Sequence, residues 1–587
     1  MSLSKRDFLV LKECLLEGPQ SQRQYASATG FSLGSVNDAL KSLAEQGYIE
    51  AGAITQAGKD ALAPYKVQNA IIMAAGMSTR FAPFSYERPK GLLRVKGEVL
   101  VERQIRQLQE AGITDITLVV GYLKEAFFYL EDKFGVKIRV NAEYATRNNN
   151  STLMLVREKL GNTYICSSDD YFTENVFEPY VYHAYYSANY FEGETDEYCL
   201  TTGSHDRITA VTIGGRDSYA MLGHVYFDQA FSKKFVSILE TEYDKPETYG
   251  KLWEDIYIDH IKELDMSMRA YEPGIIYEFD SLNDLRDFDQ DFIRNVDSAI
   301  IDNICATLDC QREEIVNIVP IKAGLTNLSF RFDVAGTSYV YRHPGAGTDG
   351  IICRESEAFS QKVARDLGID ETYIYQDPKE GWKISKFIDG CDELDYHNDA
   401  QVDQALAMGR KLHQCGVSSQ WTFNVFEKAV EIIELLKQGR SFPQFEDFGT
   451  LYESANKLAA YVAQDNVPLC LCHNDFYAPN FLVKDGYMAL IDWEYSAMSD
   501  YASDLGTFIC CSDYDVEQAK DIVARYFGRK PTLEEERHCL AYVAISGYYW
   551  FVWALYKESE GDSVGEWLYL WYRYARDFSR AALALYE

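Results

Sequence analysis

The stretch LCHNDFYAPNFL at residues 471–482, with LIDWEYS at 490–496, decides how the second half of the chain folds. Asp475 and Asn480 stand five residues apart, and Asp492 lies in the following apolar, strand-like run ALIDWEYS. Phosphoryl transfer to a hydroxyl needs one carboxylate to orient the nucleophile and take its proton, and an amide and a second carboxylate to hold Mg2+. Asp475, Asn480 and Asp492 supply those groups in that order. Upstream, VNIVPIKAGLTNLSFRFDV and TSYVYRHPG read as strands around a glycine turn, and CRESEAFSQKVARDLGI reads as a helix. Beyond about Asp389 the pattern is mostly helical. Residues 296–587 are therefore expected to form a small strand-rich lobe and a larger helical one.

A second phosphate signature stands at residues 71–93, IIMAAGMSTRF followed by RPKGLL. Gly76, which follows Ala75 after an apolar strand, lets the backbone turn closely around phosphates and offer them N–H groups. Arg80 and Lys90 add two cations, enough for a triphosphate and an incoming phosphate. The elements around this loop alternate through AIIMAAG, VERQIRQLQEAG, DITLVVGY, VKIRVN and TYICSSDDY. A varied Tyr-rich stretch over 177–250 and a closing IIYEFDS follow. Alternation of this kind builds a sheet with helices on both faces, so an α/β domain with a Rossmann-like mixed sheet is expected over 67–295.

Residues 1–66 show a helical period in DFLVLKECLL, then in SQRQYASATG and SLGSVNDALKSLAEQGYI, and end on an extended AGAITQAGKDAL. Helix, helix, helix and hairpin is the order of a winged helix-turn-helix. The run ASATGFSLGSVNDALKSL resembles that module, and its recognition helix offers Ser32, Ser35, Asn37 and Lys41. Acids and bases balance at about seven each in this segment, a poor footprint for DNA. An interaction, oligomerisation or regulatory role is expected instead.

At 587 residues the chain is long enough for three or four domains, each with its own core. A formal charge of −33 argues against broad affinity for nucleic acid, so small anionic substrates need locally basic pockets. The 13 cysteines are an odd number without zinc spacing, which suits a reducing cytoplasm and makes Cys470 and Cys472 buried thiols. No apolar run reaches the roughly 18 to 20 residues that cross a bilayer. The start MSLSKRDFLVLKECLLEG lacks the marks of a signal peptide. The expectation is a cytoplasmic protein that does not span a membrane.

Over about 70–295 the chain resembles the sugar-nucleotide pyrophosphorylase superfamily, and within it the bacterial CTP:phosphocholine cytidylyltransferases. The resemblance rests on the two loop motifs and on LVVGYLKEAFFYL, YATRNNNSTL, TYICSSDDYF and IYEFDS. It implies a nucleotidyltransferase in which Asp169 and Asp280 bind the catalytic Mg2+, with Asp170 the alternative to its neighbour. Carboxylates suit that ion because Mg2+ favours hard oxygen ligands and phosphates. Ala75, Gly76 and Arg80 would hold the triphosphate of CTP, and Lys90 would stabilise the α-phosphate and the attacking group. A trimethylammonium head is best held by aromatic faces, for which the resemblance implies Tyr198 and Trp253, with Tyr226 beside them.

Over about 297–587 the chain resembles the choline kinase and aminoglycoside phosphotransferase superfamily, which implies an α+β, protein-kinase-like fold. By that resemblance Asp475 is the base, and Asn480 and Asp492 bind Mg2+. Arg342 in YVYRHPG is the phosphate-binding cation of the third strand, and Glu355 is its acidic partner, with Glu357 the nearby alternative. The loop AGLTNLSF would cover the ATP phosphates through Gly324, Thr326 and Asn327. Trp550 and Trp553 in GYYWFVWALYKES are spaced i, i+3 and share a helix face. This pair resembles the choline-binding aromatics of choline kinases, with Tyr574 in WYRYAR as a third wall and Glu494 as a nearby anion. An aromatic core stripe is the alternative.

The whole reads as a bifunctional enzyme. Choline and ATP give phosphocholine at the C-terminal domain, then phosphocholine and CTP give CDP-choline and pyrophosphate at the middle domain, with Mg2+ at both sites. The product would serve phosphocholine decoration of a surface polymer or lipid, and a homo-oligomer is compatible with the sequence. Three alternatives stay open at this stage: specificity for ethanolamine or another amino alcohol, a sugar-1-phosphate nucleotidyltransferase joined to a sugar or aminoglycoside kinase, and a winged-helix regulator whose enzyme domains act as sensors. The intact Asp475, Asn480 and Asp492 argue against a sensor.

Overall fold

The computed structural model describes residues 3–321, 327–345, 352–438, 446–561 and 563–587. The chain divides into two compact units, Met1–Asn303 and Ile304–Glu587.

The first unit opens with helices Lys5–Leu16, Gln22–Thr29 and Leu33–Glu45. Each begins at a serine, Ser4, Ser21 or Ser32, whose hydroxyl accepts a hydrogen bond from a backbone N–H three residues on. Phe8, Leu11, Tyr25, Val36, Ala39 and Leu43 close a small core between the helices. Strands Ile49–Glu50 and Ala53–Ile54 pair antiparallel as the wing. The extended reading of AGAITQAGKDAL holds only for its start. Thr55 accepts from the Gly58 N–H and caps a helix over Gln56–Leu62, a start signal that outweighs the helix-weakening glycine inside it.

The rest of this unit is built on a seven-stranded sheet. Its order is Ser267–Ala270, Tyr185–Thr202, Ile208–Phe227, Thr163–Ser167, Asn69–Ala74, Ile116–Val120 and Lys137–Val140. The strand Asn69–Ala74 runs parallel to both of its neighbours. Ala70, Ile71 and Ile72 in it are fully buried, as a central strand covered on both faces requires. Helix Leu100–Glu110 places Val101, Ile105 and Leu108 in the core on one side of the sheet. The Tyr-rich stretch supplies the antiparallel part, a hairpin of strands 18 and 20 residues long. The winged helix is seated on this body through its first helix and its last turn: the Lys12 ammonium donates to Glu178 at 2.6 Å, and Tyr65, in the turn Ala63–Tyr65, stacks on Tyr182 with ring centres 5.6 Å apart.

In the second unit a five-stranded antiparallel sheet has the order Val316–Ile321, Asn327–Val334, Thr337–Pro344, Lys383–Lys386 and Tyr373–Gln376. Helix Arg354–Asp366 accompanies it. The stretch that carries Asp475 and Asn480 runs from strand Cys470–Cys472, which pairs with Ala497–Ser499, into the hairpin of Phe481–Lys484 and Tyr487–Leu490. Helices make up most of the remainder. One of them, Leu533–Glu560, corrects the expectation that no segment is long and apolar enough to cross a membrane. By length and composition it qualifies, yet 83% of its apolar window is buried inside the unit. It is the central helix of the lobe, and Gly506 lets a neighbour approach it, because a Cβ there would lie 2.5 Å from the Tyr542 carbonyl oxygen.

Candidate active sites

The first site is a cleft of about 200 Å³ at the end of strand Asn69–Ala74. Its lining includes Ala75, Gly76 and Ser78 of the following loop, Lys90 and Gly91, the stretch Arg147–Asn149, and Ser167–Asp169. Gly76 faces open space, so its backbone can approach a ligand. Gly91 is different: a Cβ there would come within 2.7 Å of the Ser168 Cβ, and its absence brings Lys90 up to Asp169. The Lys90 ammonium forms an ion pair with Asp169 and lies 4.4 Å from the centre of the Phe81 ring. Arg80, largely exposed, pairs with Asp280 at 3.0 Å.

Of the adjacent aspartates, Asp169 lines the cleft and Asp170 stands behind it. One Asp170 oxygen accepts from the Ser167 N–H at 3.3 Å, and the other is buried without a hydrogen-bond partner. Burial, with Glu278 and Asp169 adding their charge, pushes the Asp170 pKa well up. Glu278 is a residue that the sequence reading missed. Burial first, then Asp169 and Asp280, raise its pKa to about 8. Its signal was present in IYEFDS, where Glu278 precedes Asp280 by two residues. Four carboxylates thus crowd against Lys90 and Arg80, an excess of negative charge that a divalent cation would relieve.

The aromatic residues implied for the head group do not converge. Trp253 is fully buried, stacked on Tyr186 with ring centres 5.8 Å apart and edge-on to Phe227. Tyr226 is fully buried in a different cluster, beside Tyr164 and Tyr185. Both rings belong to the core, where a large apolar side chain removes most surface from water. Tyr198 is half-buried and its hydroxyl donates to Asp255 at 3.1 Å. Asn149 connects the cleft to this region: it accepts from the Trp253 N–H and donates to Glu254, whose pKa burial raises to about 7.

At the second site Asn480 donates from Nδ2 to the Asp475 carboxylate and to the Asp475 carbonyl, each at 2.8 Å. Burial, followed by the charge of Asp492, pushes the Asp475 pKa well above the usual carboxylate range. Asp504, fully buried, accepts from the His473 and Asn474 N–H groups and so holds the loop ahead of Asp475. Asn474 and Asp492 both occupy the left-handed region, at φ 64° and 65°. Backbone of this kind persists only where its surroundings enforce it. Arg342 donates to Asp492 at 2.8 Å, and Glu494 lies 3.8 Å away. Burial and Asp492 raise the Glu494 pKa to about 7, against the pull of Arg342.

The acidic partner of Arg342 is Glu357 and not Glu355. On helix Arg354–Asp366 the Glu357 side chain turns inward and is fully buried, while Glu355 is exposed. A second cation, Lys383, was not anticipated. Its ammonium reaches Glu357 at 3.4 Å and Asp492 at 3.9 Å. Gly324 and Thr326 lie outside the described residues, and Asn327 enters as backbone at the start of its strand.

Trp550 and Trp553 do share a helix face, with ring centres 5.6 Å apart. Trp550 also meets Tyr495 edge-on at 6.2 Å, and burial pushes the Tyr495 hydroxyl up, with Glu494 and Asp475 among the charges it feels. The third ring against the tryptophan pair is Trp571, not Tyr574. Tyr574 is buried on the same helix, where its hydroxyl donates to the Tyr514 carbonyl and its ring stacks on Phe578.

Residues 3–50 match the winged helix-turn-helix DNA-binding family, 70–168 the MobA-like NTP transferase domain, and 318–562 the choline/ethanolamine kinase family. A choline-phosphate cytidylyltransferase of Streptococcus pneumoniae is 36% identical over 221 residues, covering 38% of this chain and 96% of that one. The chain belongs to the choline-phosphate cytidylyltransferase family. A 2-aminoethylphosphonate cytidylyltransferase of Lancefieldella rimae is also 36% identical, covering 38% of this chain and 93% of that one. The C-terminal unit is similar to Protein LicA of Haemophilus influenzae, 25% identical over 41% of this chain and 94% of that one. The protein is a multidomain transferase in which a winged helix, a nucleotidyltransferase and a kinase-family domain are fused.

Proposed function

We propose that the chain makes phosphocholine from choline and ATP at the Asp475 site, and CDP-choline and pyrophosphate from phosphocholine and CTP in the Lys90 cleft. The observation that carries this reading is the union, in one chain, of the Asp475, Asn480 and Asp492 set with a cytidylyltransferase cleft: the first reaction makes what the second consumes. In the kinase step Asp475 orients the choline hydroxyl and takes its proton, while Asn480 and Asp492 face the ATP phosphates. In the transfer step Arg80 and the Gly76 loop hold the CTP triphosphate. Lys90 stabilises the α-phosphate as a phosphocholine oxygen attacks it and pyrophosphate leaves. Mg2+, held through Asp169 and Asp280 in the cleft and through Asn480 and Asp492 in the kinase site, would supply charge neutralisation at the phosphates. Trp550, Trp553 and Trp571 suit the quaternary ammonium. The product fits a cytoplasmic route to phosphocholine decoration of a surface polymer or lipid.

The Lancefieldella relative favours a second reading for the cleft, in which the acceptor is an aminophosphonate carrying a primary ammonium. One experiment separates them. The full chain with Mg2+ is given choline and ATP, then CTP with phosphocholine, phosphoethanolamine or 2-aminoethylphosphonate, and each product is quantified. Phosphocholine and CDP-choline as the preferred products are expected. No phosphorylation of choline, or a preference for either primary amine, would overturn the corresponding half.

A further inference from the structure

Arg342 and Lys383 sit directly opposite each other on antiparallel strands Thr337–Pro344 and Lys383–Lys386. Like charges in that position repel. Both side chains are nearly buried and both point to one fully buried carboxylate, Glu357. Arg342 is also committed to Asp492 and close to Glu494. A single cation would satisfy one strand position and one carboxylate, so the second has to be explained by what the first does during the reaction. If Arg342 turned toward ATP phosphates, Glu357 would keep Arg354, at 3.5 Å, but Asp492 would lose its hydrogen-bonded cation, and a charge removed from water is costly when it is short of partners. Lys383, 3.4 Å from Glu357 and 3.9 Å from Asp492, stands beside both carboxylates at once and lowers that cost.

We propose that Lys383 is a positioning residue of the kinase site: it shares the Glu357 carboxylate with Arg342 and stands beside Asp492, so that the two carboxylates that hold Arg342 both keep a cation beside them when Arg342 engages the ATP phosphates. This deepens the kinase reading and rests on it. The role belongs to Lys383 by geometry, since it reaches the two carboxylates that hold Arg342 without itself being the residue implied for the third-strand cation.

The test is steady-state kinetics of the full chain carrying Lys383→Met or Lys383→Arg, with ATP and choline varied separately and CDP-choline synthesis from supplied phosphocholine as an internal control. Lys383→Met is expected to raise the ATP KM about tenfold and lower kinase kcat, as loss of a charge-assisted contact does. The choline KM and the control rate should stay within about twofold, and Lys383→Arg should regain most of the loss. An unchanged ATP KM and kcat in Lys383→Met overturns the proposal. So does a fall in unfolding midpoint with equal changes for ATP and choline and no rescue by arginine, which assigns the side chain to packing. A wild-type protein that phosphorylates no amino alcohol overturns the kinase reading and this proposal with it. An active wild type with an unaffected variant overturns the proposal alone.

Discussion

In the cytidylyltransferase cleft the two cations pair separately, Lys90 with Asp169 and Arg80 with Asp280, beside the buried Asp170 and Glu278, and the second pair lies open to solvent. In the kinase site Arg342 and Lys383 share Glu357 and Asp492, Arg354 also reaches Glu357 at 3.5 Å, and Glu494 lies close to Arg342. The difference is one of dielectric and connectivity. Exposed pairs are screened by water and act almost independently, whereas charges removed from water depend on every partner. Substitutions in the cleft should therefore stay local, and substitutions among the kinase carboxylates should spread.

The sharpest way to break this contrast is Asp475→Asn. Kinase turnover should fall by about 10²- to 10⁴-fold, the usual worth of a positioned general base. CDP-choline synthesis from supplied phosphocholine should stay at the wild-type rate, measured in the same preparation. Loss of both activities in folded protein would mean that the sites are coupled.

Next in size is Glu357→Gln, which leaves Arg342, Lys383 and Arg354 without their shared anion and should destabilise the second unit by about 3 to 5 kcal/mol. Burial opposes ionisation of Glu357, but Arg342 and Lys383 outweigh it and hold its pKa down to about 2. A depressed carboxylate stabilises the fold fully above its unfolded value of about 4.3 and loses that contribution as pH falls toward the folded value. Urea unfolding of wild type and variant should thus differ most near neutral pH and converge below pH 4. A constant difference across that range would remove Glu357 from the network.

The smallest effect is expected from Arg80→Ala. Its exposed pair with Asp280 should contribute less than about 1 kcal/mol to stability. The CTP KM should nevertheless rise about threefold, since a cation facing a triphosphate acts on binding. A large drop in the unfolding midpoint would erase the distinction between the two regions.

Local pattern made much of this legible. The strand pattern around Ile71 and Ile72, the helical period of the first three helices, and the spacing of Asp475 and Asn480 are properties of neighbouring residues, and the structure shows a buried strand, three helices and an Asn480–Asp475 hydrogen bond there. Trp550 and Trp553 share a face for the same reason, since helical spacing is a local rule.

Partners contributed by distant segments were not legible. Helix phase turns Glu357 inward and Glu355 outward, and only the packed helix reveals that phase relative to Arg342. Lys383 lies in an unremarkable WKISK, and strand pairing alone sets it opposite Arg342. Trp253 and Tyr226 have the chemistry of a cation cage, yet packing spends both on cores. By itself the sequence determined the element types, the order of the domains and the groups able to do phosphate chemistry, because these follow from short-range spacing. Only the tertiary structure decided which acid meets which cation and which aromatic ring remains near a site, because those contacts join residues brought together by folding.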